Sequence, residues 1–284
     1  MYTGRNKRAF SFLGFRHTLS LPLNRKYDEK IDLRVTENLA LHTHYVLLKA
    51  TSPDGSKLPE MLPGQFAELR VDGSPTTFLR RPISVNFVDV KRNEVWFLIQ
   101  LVGDGTRRLS TLKSGDVLNA VLPLGNSFSL PEKNEKVLLI GGGVGTAPML
   151  FWGSYLRNAG FVPHFLLGAR SSRDILQKEQ FEALGIVDVT TEDGSCGEKG
   201  YVTQHSILNK VRFEQIYTCG PKPMMVAVAK YAKSNQIECE VSLENTMACG
   251  IGACLCCVEN TQDGHVCVCT EGPVFNIEKL RWLN

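Results

Sequence analysis

From Ile31 to about Ser129, apolar and β-branched residues come in short runs: IDLRVTENLAL, HYVLLKAT, GQFAELRV, RPISVNFVDV, EVWFLIQLV and DVLNAVLPL, with SPDGS, VDGSP and KSGD among the breaks. Such runs fit pleated strands, and the Gly, Pro, Asp and Ser clusters mark the turns between them. Six strands at this spacing predict a closed antiparallel barrel. The rhythm changes at KVLLIGGGVGTAPML, an apolar strand, a glycine turn and a helix start. Pro148 is compatible with that helix because its first turn tolerates proline. Beyond it, VPHFLLGA, SRDILQKEQFEAL, VDVTTED, QIYTCG, PKPMMVAVAKYAKSNQ and IECEVSLE alternate strand with helix. That alternation predicts a parallel sheet covered by helices. From Glu244 on, apolar periodicity is weak, and a segment this short builds little core of its own. A metal centre is expected to hold it together.

Composition narrows the class of molecule. Hydrophobic residues at 43% and charged residues at 21% of 284 positions are those of a globular protein. No apolar run approaches the roughly eighteen residues of a membrane-spanning helix. The formal net charge is +3, but Arg5, Lys7, Arg8, Arg16, Arg25 and Lys26 all lie within residues 1–26, which hold no acidic residue. The remaining body is slightly acidic, which argues against a nucleic-acid role. Residues 1–29 read as a basic, disordered extension without the apolar core of a secretory signal. Nine cysteines, an odd number, fit a metal site in a reducing compartment better than a disulfide framework.

Six of those cysteines lie in MACGIGACLCCVENTQDGHVCVC, residues 247–269. Cys249, Cys254 and Cys257 have the C-x4-C-x2-C spacing of a plant-type [2Fe–2S] cluster, which needs a distant fourth thiolate. Gly250 and Gly252 suit a loop that must turn tightly around the metal. Cys267 and Cys269 both qualify as the fourth ligand, since residues two apart on an extended segment share a face. The zinc alternative lacks its second C-x2-C knuckle. Cys256 reads as a small packing residue or a spare thiol.

Two further glycine turns carry anion-binding potential. LLIGGGVGTAPM brings backbone amides and a helix start to one point, although without strict G-x-G-x-x-G spacing. VGDGTRRLS, at 102–110, is a second such turn inside the strand-rich half, close in sequence to RRPISV at 80–85. Two anion sites leave room for two dinucleotides.

Together these motifs resemble the ferredoxin–NADP reductase superfamily: R-x-x-S on a barrel strand, GGGVGTAP and CGPKPM in a nucleotide domain, in that order. LENTMACGIGACLCCVE followed by CTEGPVF is similar to one branch, the electron-transfer subunits of NAD-dependent (class 1B) dihydroorotate dehydrogenases. The resemblance spans roughly residues 30 to 280. It implies a multi-domain β plus α/β architecture: an antiparallel FAD-binding barrel over 30–131, a Rossmann-like NAD domain over 132–243 and a [2Fe–2S] module over 244–284. By the same resemblance Arg81 meets the FAD pyrophosphate and Ser84 the isoalloxazine, with Pro82 and Ile83 between them and Gly105 and Thr106 completing the phosphate site. Gly141, Gly142, Gly143, Gly145 and Thr146 cradle the NAD pyrophosphate, while Cys219, Gly220 and Pro221 line the nicotinamide side. In the family, two residues separate the fourth cluster ligand from GPVF, which makes it Cys269 here.

Two positions depart from the family. An ordinary residue commonly stands where this chain has Cys256. Arg170 and Arg173 fall where basic residues of relatives accept an NADP 2′-phosphate. The expected activity is that of a cytoplasmic oxidoreductase subunit which takes electrons from an FMN-containing dihydroorotate dehydrogenase subunit and passes them to NAD+, as a heterotetramer with two copies of each chain. The alternatives are a related subunit of a hydrogenase or transhydrogenase complex, and a zinc-stabilised interaction module.

Overall fold

The computed structural model of the chain describes residues 29–132 and 134–283. The extension expected over 1–29 lies outside the described residues except for Glu29, which opens the first strand. Strands β1 (Glu29–His42), β2 (Tyr45–Thr51), β3 (Phe66–Leu69), β4 (Arg81–Ser84), β5 (Phe87–Asp89) and β6 (Glu94–Gln100) are followed by a short helix α1 (Asp104–Leu109) and by β7 (Val117–Leu124). They form one antiparallel sheet in the order β4-β3-β7-β1-β2-β6-β5. Alternate side chains, among them Leu33, Leu48, Ala67, Leu69, Phe97 and Leu118, fill its interior.

The run RPISVNFVDV, expected as one strand, is two. Val85 N donates to Gln65 O on the β3 side, and the next amide, Asn86 N, donates to Trp96 O on the β6 side. The chain thus steps between the two edge strands, and this step closes the barrel. Seven strands result where six were expected.

The second half runs β8 (Val137–Gly142), α2 (Thr146–Asn158), β9 (His164–Ala169), α3 (Lys178–Glu182), β10 (Ile186–Thr191), β11 (Glu198–Lys199), α4 (Ile207–Lys210), β12 (Gln215–Cys219), α5 (Lys222–Ser234) and β13 (Glu238–Ser242). Its strands pair in parallel in the order β11-β10-β9-β8-β12-β13. Leu138 and Ile140 of β8 pack with α5 residues such as Val228 and Ala229, while Val137 and Leu139 pack with Met149 and Trp152 of α2. Burial on both faces explains the unbroken apolar reading of β8.

The helix expected over Ser172–Leu184 is not continuous. A 3-10 turn covers Ser172–Asp174, Gln177 adopts a left-handed φ of 54°, and α3 is only five residues long. A tertiary contact replaces the helix: the side-chain amides of buried Gln177 and Asn86 exchange two hydrogen bonds of 3.0 Å. Asn86 Nδ2 also donates to Ala147 O, at 3.1 Å, which joins the barrel closure to α2.

The C-terminal segment holds β14 (Val258–Thr261), β15 (Gly264–Cys267), α6 (Val268–Glu271) and β16 (Val274–Asn276). It does not depend on a metal alone for its packing. β16 adds antiparallel to β13 and extends the parallel sheet. Met247, Cys257, Val268 and Cys269 share one apolar core with Val228 of α5 and with Phe66 and Leu124 of the barrel.

Candidate cofactor sites

Residues 249–257 form an irregular loop whose sulfurs are held by backbone amides. Ile251 N donates to Cys249 Sγ at 3.4 Å, Cys256 N to Cys254 Sγ at 3.5 Å, Cys269 N to Cys257 Sγ at 3.4 Å and Gly252 N to Cys269 Sγ at 3.1 Å. Each of the four expected ligands thus accepts at least one N–H. The sulfurs of Cys256 and Cys267 accept none among the described residues. Burial acts to raise the Cys249 thiol, but the amides of Ile251, Cys254 and Ala253 bring it down to about 7, which favours the thiolate a metal needs. Cys269 is pushed up to about 12 by burial and by the neighbouring Cys257 sulfur. A cation would relieve that crowding.

The thiols gather in pairs, Cys249 beside Cys254 and Cys257 beside Cys269. Among the described residues no three His, Cys, Asp or Glu side chains surround one point as a single ion requires. Two thiolates for each of two irons fit the pairs. Cys267 also lies beside Cys257. However, the segment is not extended there: Cys267 ends β15 and Val268 begins α6, so Cys267 and Cys269 do not share a face by strand alternation. Gly250 and Gly252 have φ of +71° and +79°, and a Cβ would fall 2.6 Å from Glu68 Cγ and from Thr270 Cγ2 respectively.

The GGGVGT turn joins β8 to α2 through a 3-10 turn at Gly143–Gly145. Its glycines have separate reasons to be glycine. Gly143 has φ +57°, whereas a Cβ on Gly145 would lie 2.5 Å from the Cys219 carbonyl carbon and one on Gly142 2.4 Å from Met224 Sδ. A Cβ on Gly141 would lie 2.8 Å from Thr146 Cγ2, and the Thr146 hydroxyl donates to Gly143 O at 3.0 Å. Gly142, Gly143 and Val144 face a cavity of about 900 Å³ that Arg170, Pro221 and Glu244 also line. The size suits a dinucleotide. Cys219 is fully buried behind this wall, and its thiol donates to Glu244 Oε1 at 3.6 Å. Burial, then the Glu244 charge, keeps that thiol protonated. Glu244 carries no motif of its own, and sequence reasoning missed it.

On the barrel the two adjacent arginines differ. Arg80 is committed to the protein: Nη1 donates to Glu68 O and Asn119 O, and Nη2 to Asn119 Oδ1 at 2.5 Å. Arg81 donates only to the carbonyls of Leu79 and Arg80, and no carboxylate pairs with it among the described residues. It lies against the N-terminus of α1, where a Cβ on Gly105 would stand 2.7 Å from Arg81 Nε. Thr106 Oγ1 accepts from Val102 N and Gly103 N and so shapes the turn. Phe78, 91% exposed, and Leu79 flank the strand. An unpaired guanidinium beside uncovered aromatic surface fits the pyrophosphate and rings of a flavin dinucleotide. Ile83 packs toward the barrel interior, so Pro82 and Ser84 face outward, as do their cross-strand partners Glu68 and Phe66. Glu68 was not expected. It is fully buried, and neither carboxylate oxygen has a hydrogen bond among the described residues.

An antiparallel barrel with a flavin-compatible edge, a parallel domain with a phosphate loop and a paired-thiol module define an electron-transferring oxidoreductase of the ferredoxin reductase fold. Residues 244–281 match the iron–sulfur cluster binding domain of dihydroorotate dehydrogenase B, and residues 139–230 match the oxidoreductase NAD-binding domain. The electron transfer subunit of dihydroorotate dehydrogenase B (NAD(+)) from Shouchella clausii is 38% identical over 224 residues, 77% of this chain and 86% of that one. Its counterpart from Bacillus pumilus is 34% identical over 89% of this chain and 98% of its own. A solved NADH-dependent reduced ferredoxin-NADP oxidoreductase, described for flavin-based electron bifurcation, is 29% identical with a TM-score of 0.78, covering 88% of this chain and 90% of that chain. The ferredoxin reductase of carbazole 1,9a-dioxygenase, 22% identical with a TM-score of 0.63 over 74% of this chain and 66% of its own, shares the fold. The chain belongs to the family of dihydroorotate dehydrogenase B electron transfer subunits.

Proposed function

We propose that this chain takes electrons from an FMN-containing dihydroorotate dehydrogenase subunit and delivers them to NAD+ in pyrimidine biosynthesis, within a complex holding two copies of each chain. Cys249, Cys254, Cys257 and Cys269 hold the [2Fe–2S] cluster. The observation that carries this assignment is the backbone amide each of these sulfurs accepts, which Cys256 and Cys267 lack. When bound, FAD links the two-electron exchange of nicotinamide to the one-electron steps of the cluster.

The chain's own residues position that chemistry. Arg81, with the α1 turn at Gly105 and Thr106, binds the flavin pyrophosphate, while Pro82, Ile83 and Ser84 present the strand against which the ring lies. Gly141 to Thr146 set the NAD pyrophosphate at the start of α2, a fixed positive end. Gly220 and Pro221, backed by protonated Cys219, form the nicotinamide wall. Among the described residues no helix is long and apolar enough to cross a membrane, and all nine cysteines are free thiols. Thiolate ligands of this kind fit the cytoplasm.

The test is dihydroorotate-dependent NAD+ reduction by the chain purified with its partner subunit. Cys269→Ser is expected to abolish it together with the electron paramagnetic resonance signal of the reduced cluster. Cys267→Ser should keep both. A preparation that oxidises NADH with ferricyanide yet never responds to dihydroorotate would overturn the substrate assignment.

A further inference from the structure

One turn of the barrel reaches the nucleotide cavity. His42, Thr43, His44 and Tyr45, which join β1 to β2, line the same space as Gly142, Gly143 and Val144. Tyr45 is buried, and its hydroxyl accepts from Gln100 Nε2 at 3.2 Å. A Cβ on Gly143 would lie 3.9 Å from that hydroxyl, so the turn stands directly by the phosphate loop. Beneath it, Tyr45 and Leu98 of the barrel pack with Ala147 and Leu176 of the nucleotide domain, joined by Leu41 and Val144. This small core fixes the turn to the loop.

The imidazoles themselves are uncommitted. Among the described residues the His42 ring has a hydrogen-bond contact only with the neighbouring Thr43 hydroxyl, at 3.3 Å, besides a tilted ring contact with Tyr45 at 6.4 Å, and the His44 ring has no hydrogen bond. Their rings lie 5.8 Å apart. Arg170 and Arg173 line the same cavity from the nucleotide domain, while Asp174 is occupied by the Ser171 hydroxyl at 2.8 Å. Imidazole and guanidinium groups whose only partners are neighbouring hydroxyls, Thr43 for His42 and Ser171 for Arg173, stand beside a loop shaped to take a phosphate and match an anionic ligand.

We propose that His42 and His44 bind the pyrophosphate of NAD(H) from the side opposite Gly142–Val144, so that the flavin barrel supplies one jaw of the pyridine-nucleotide site. The inference rests on the reading of this cavity as the NAD site. It adds residues that lie outside the segment matching the NAD-binding family, which spans 139–230.

The experiment is steady-state NADH oxidation with ferricyanide by the full chain carrying FAD and cluster, paired with fluorescence titration by ADP-ribose. The double variant His42→Ala/His44→Ala is expected to raise the KM for NADH roughly tenfold, two hydrogen bonds of ordinary strength. ADP-ribose affinity should fall by the same factor, with kcat within about twofold and flavin content unchanged. His42→Asn/His44→Asn, which keeps N–H donors, should recover part of the loss. A KM and an ADP-ribose affinity both within about twofold of the parent protein overturn the inference. Gly143→Val separates the two readings: if it raises KM while the histidine variant does not, only the second jaw is wrong. If Gly143→Val also has no effect, the cavity is not the NAD site.

Discussion

A buried carboxylate without a hydrogen bond costs free energy, and Glu68 is one. Desolvation raises its pKa from 4.5 to about 7 against the attraction of Arg80. A folded-state pKa above the unfolded value means that the native state holds the proton more tightly. The contribution of Glu68 to stability is therefore full below about pH 4.5 and is lost as pH rises through about 7. Glu68→Gln removes this dependence. The melting temperature of the variant relative to the parent should climb between pH 5 and pH 8, and a flat difference across that range would show that Glu68 ionises freely. Nothing in FAEL marks this residue, because a charged position on an alternating strand ordinarily faces water. The same limit applies to Arg80 and Arg81, neighbours whose opposite commitments depend on Asn119, far away in the chain.

Elements were legible where one period persisted. The strands of the barrel and of the parallel sheet appear where β-branched runs lie between turn residues. Val85 and Asn86 gave no such mark, since the alternation continues through them while the hydrogen bonding changes edge. Ser172–Leu184 failed for the opposite reason: its apolar spacing suits a helix, but the side chain of Gln177 is used elsewhere. For the cysteine loop, spacing alone singles out three of the four proposed ligands. Spacing alone left Cys267 and Cys269 open as the fourth, and their supposed shared face is lost where Val268 starts a helix. The loop also has a testable hinge. Gly252→Ala would place a Cβ 2.6 Å from Thr270 Cγ2 at a φ of +79°, displacing the amide that Cys269 accepts. Cluster content, read as iron and sulfide per chain, should fall severalfold. Gly252→Ala/Thr270→Ser should restore part of it, because serine lacks the clashing methyl group; the remaining deficit is the backbone strain, of order 1 kcal/mol. Equal cluster content in parent and single variant would show that the loop adapts.

At the scale of the whole molecule, the order of barrel, parallel sheet and cysteine module was legible, but their dependence on one another was not. Too little apolar periodicity after Glu244 implied a segment held by metal, yet β16 and the core around Met247 and Val268 anchor it to both preceding domains. Asn126 of the barrel adds a clamp, donating to Val274 O and accepting from Val274 N, both at 2.9 Å. Removal of the cluster by chelation under reducing conditions should therefore raise hydrogen exchange at 249–257 while leaving 240–242 and 274–276 protected. Exchange that spreads to β16 would mean that the metal, and not this packing, maintains the module.

The reciprocal amide pair of Asn86 and Gln177 has a bearing on how such a chain can be recombined. Each side chain is the other's donor and acceptor, and the two lie 91 positions apart on opposite sides of the conventional cut between barrel and nucleotide domain. A chimera that imports either half from a relative with a different residue at one of these positions leaves an amide stranded in the interior, at a cost of about 1–3 kcal/mol. The halves can be exchanged as cassettes only when both members of the pair travel or are rewritten together.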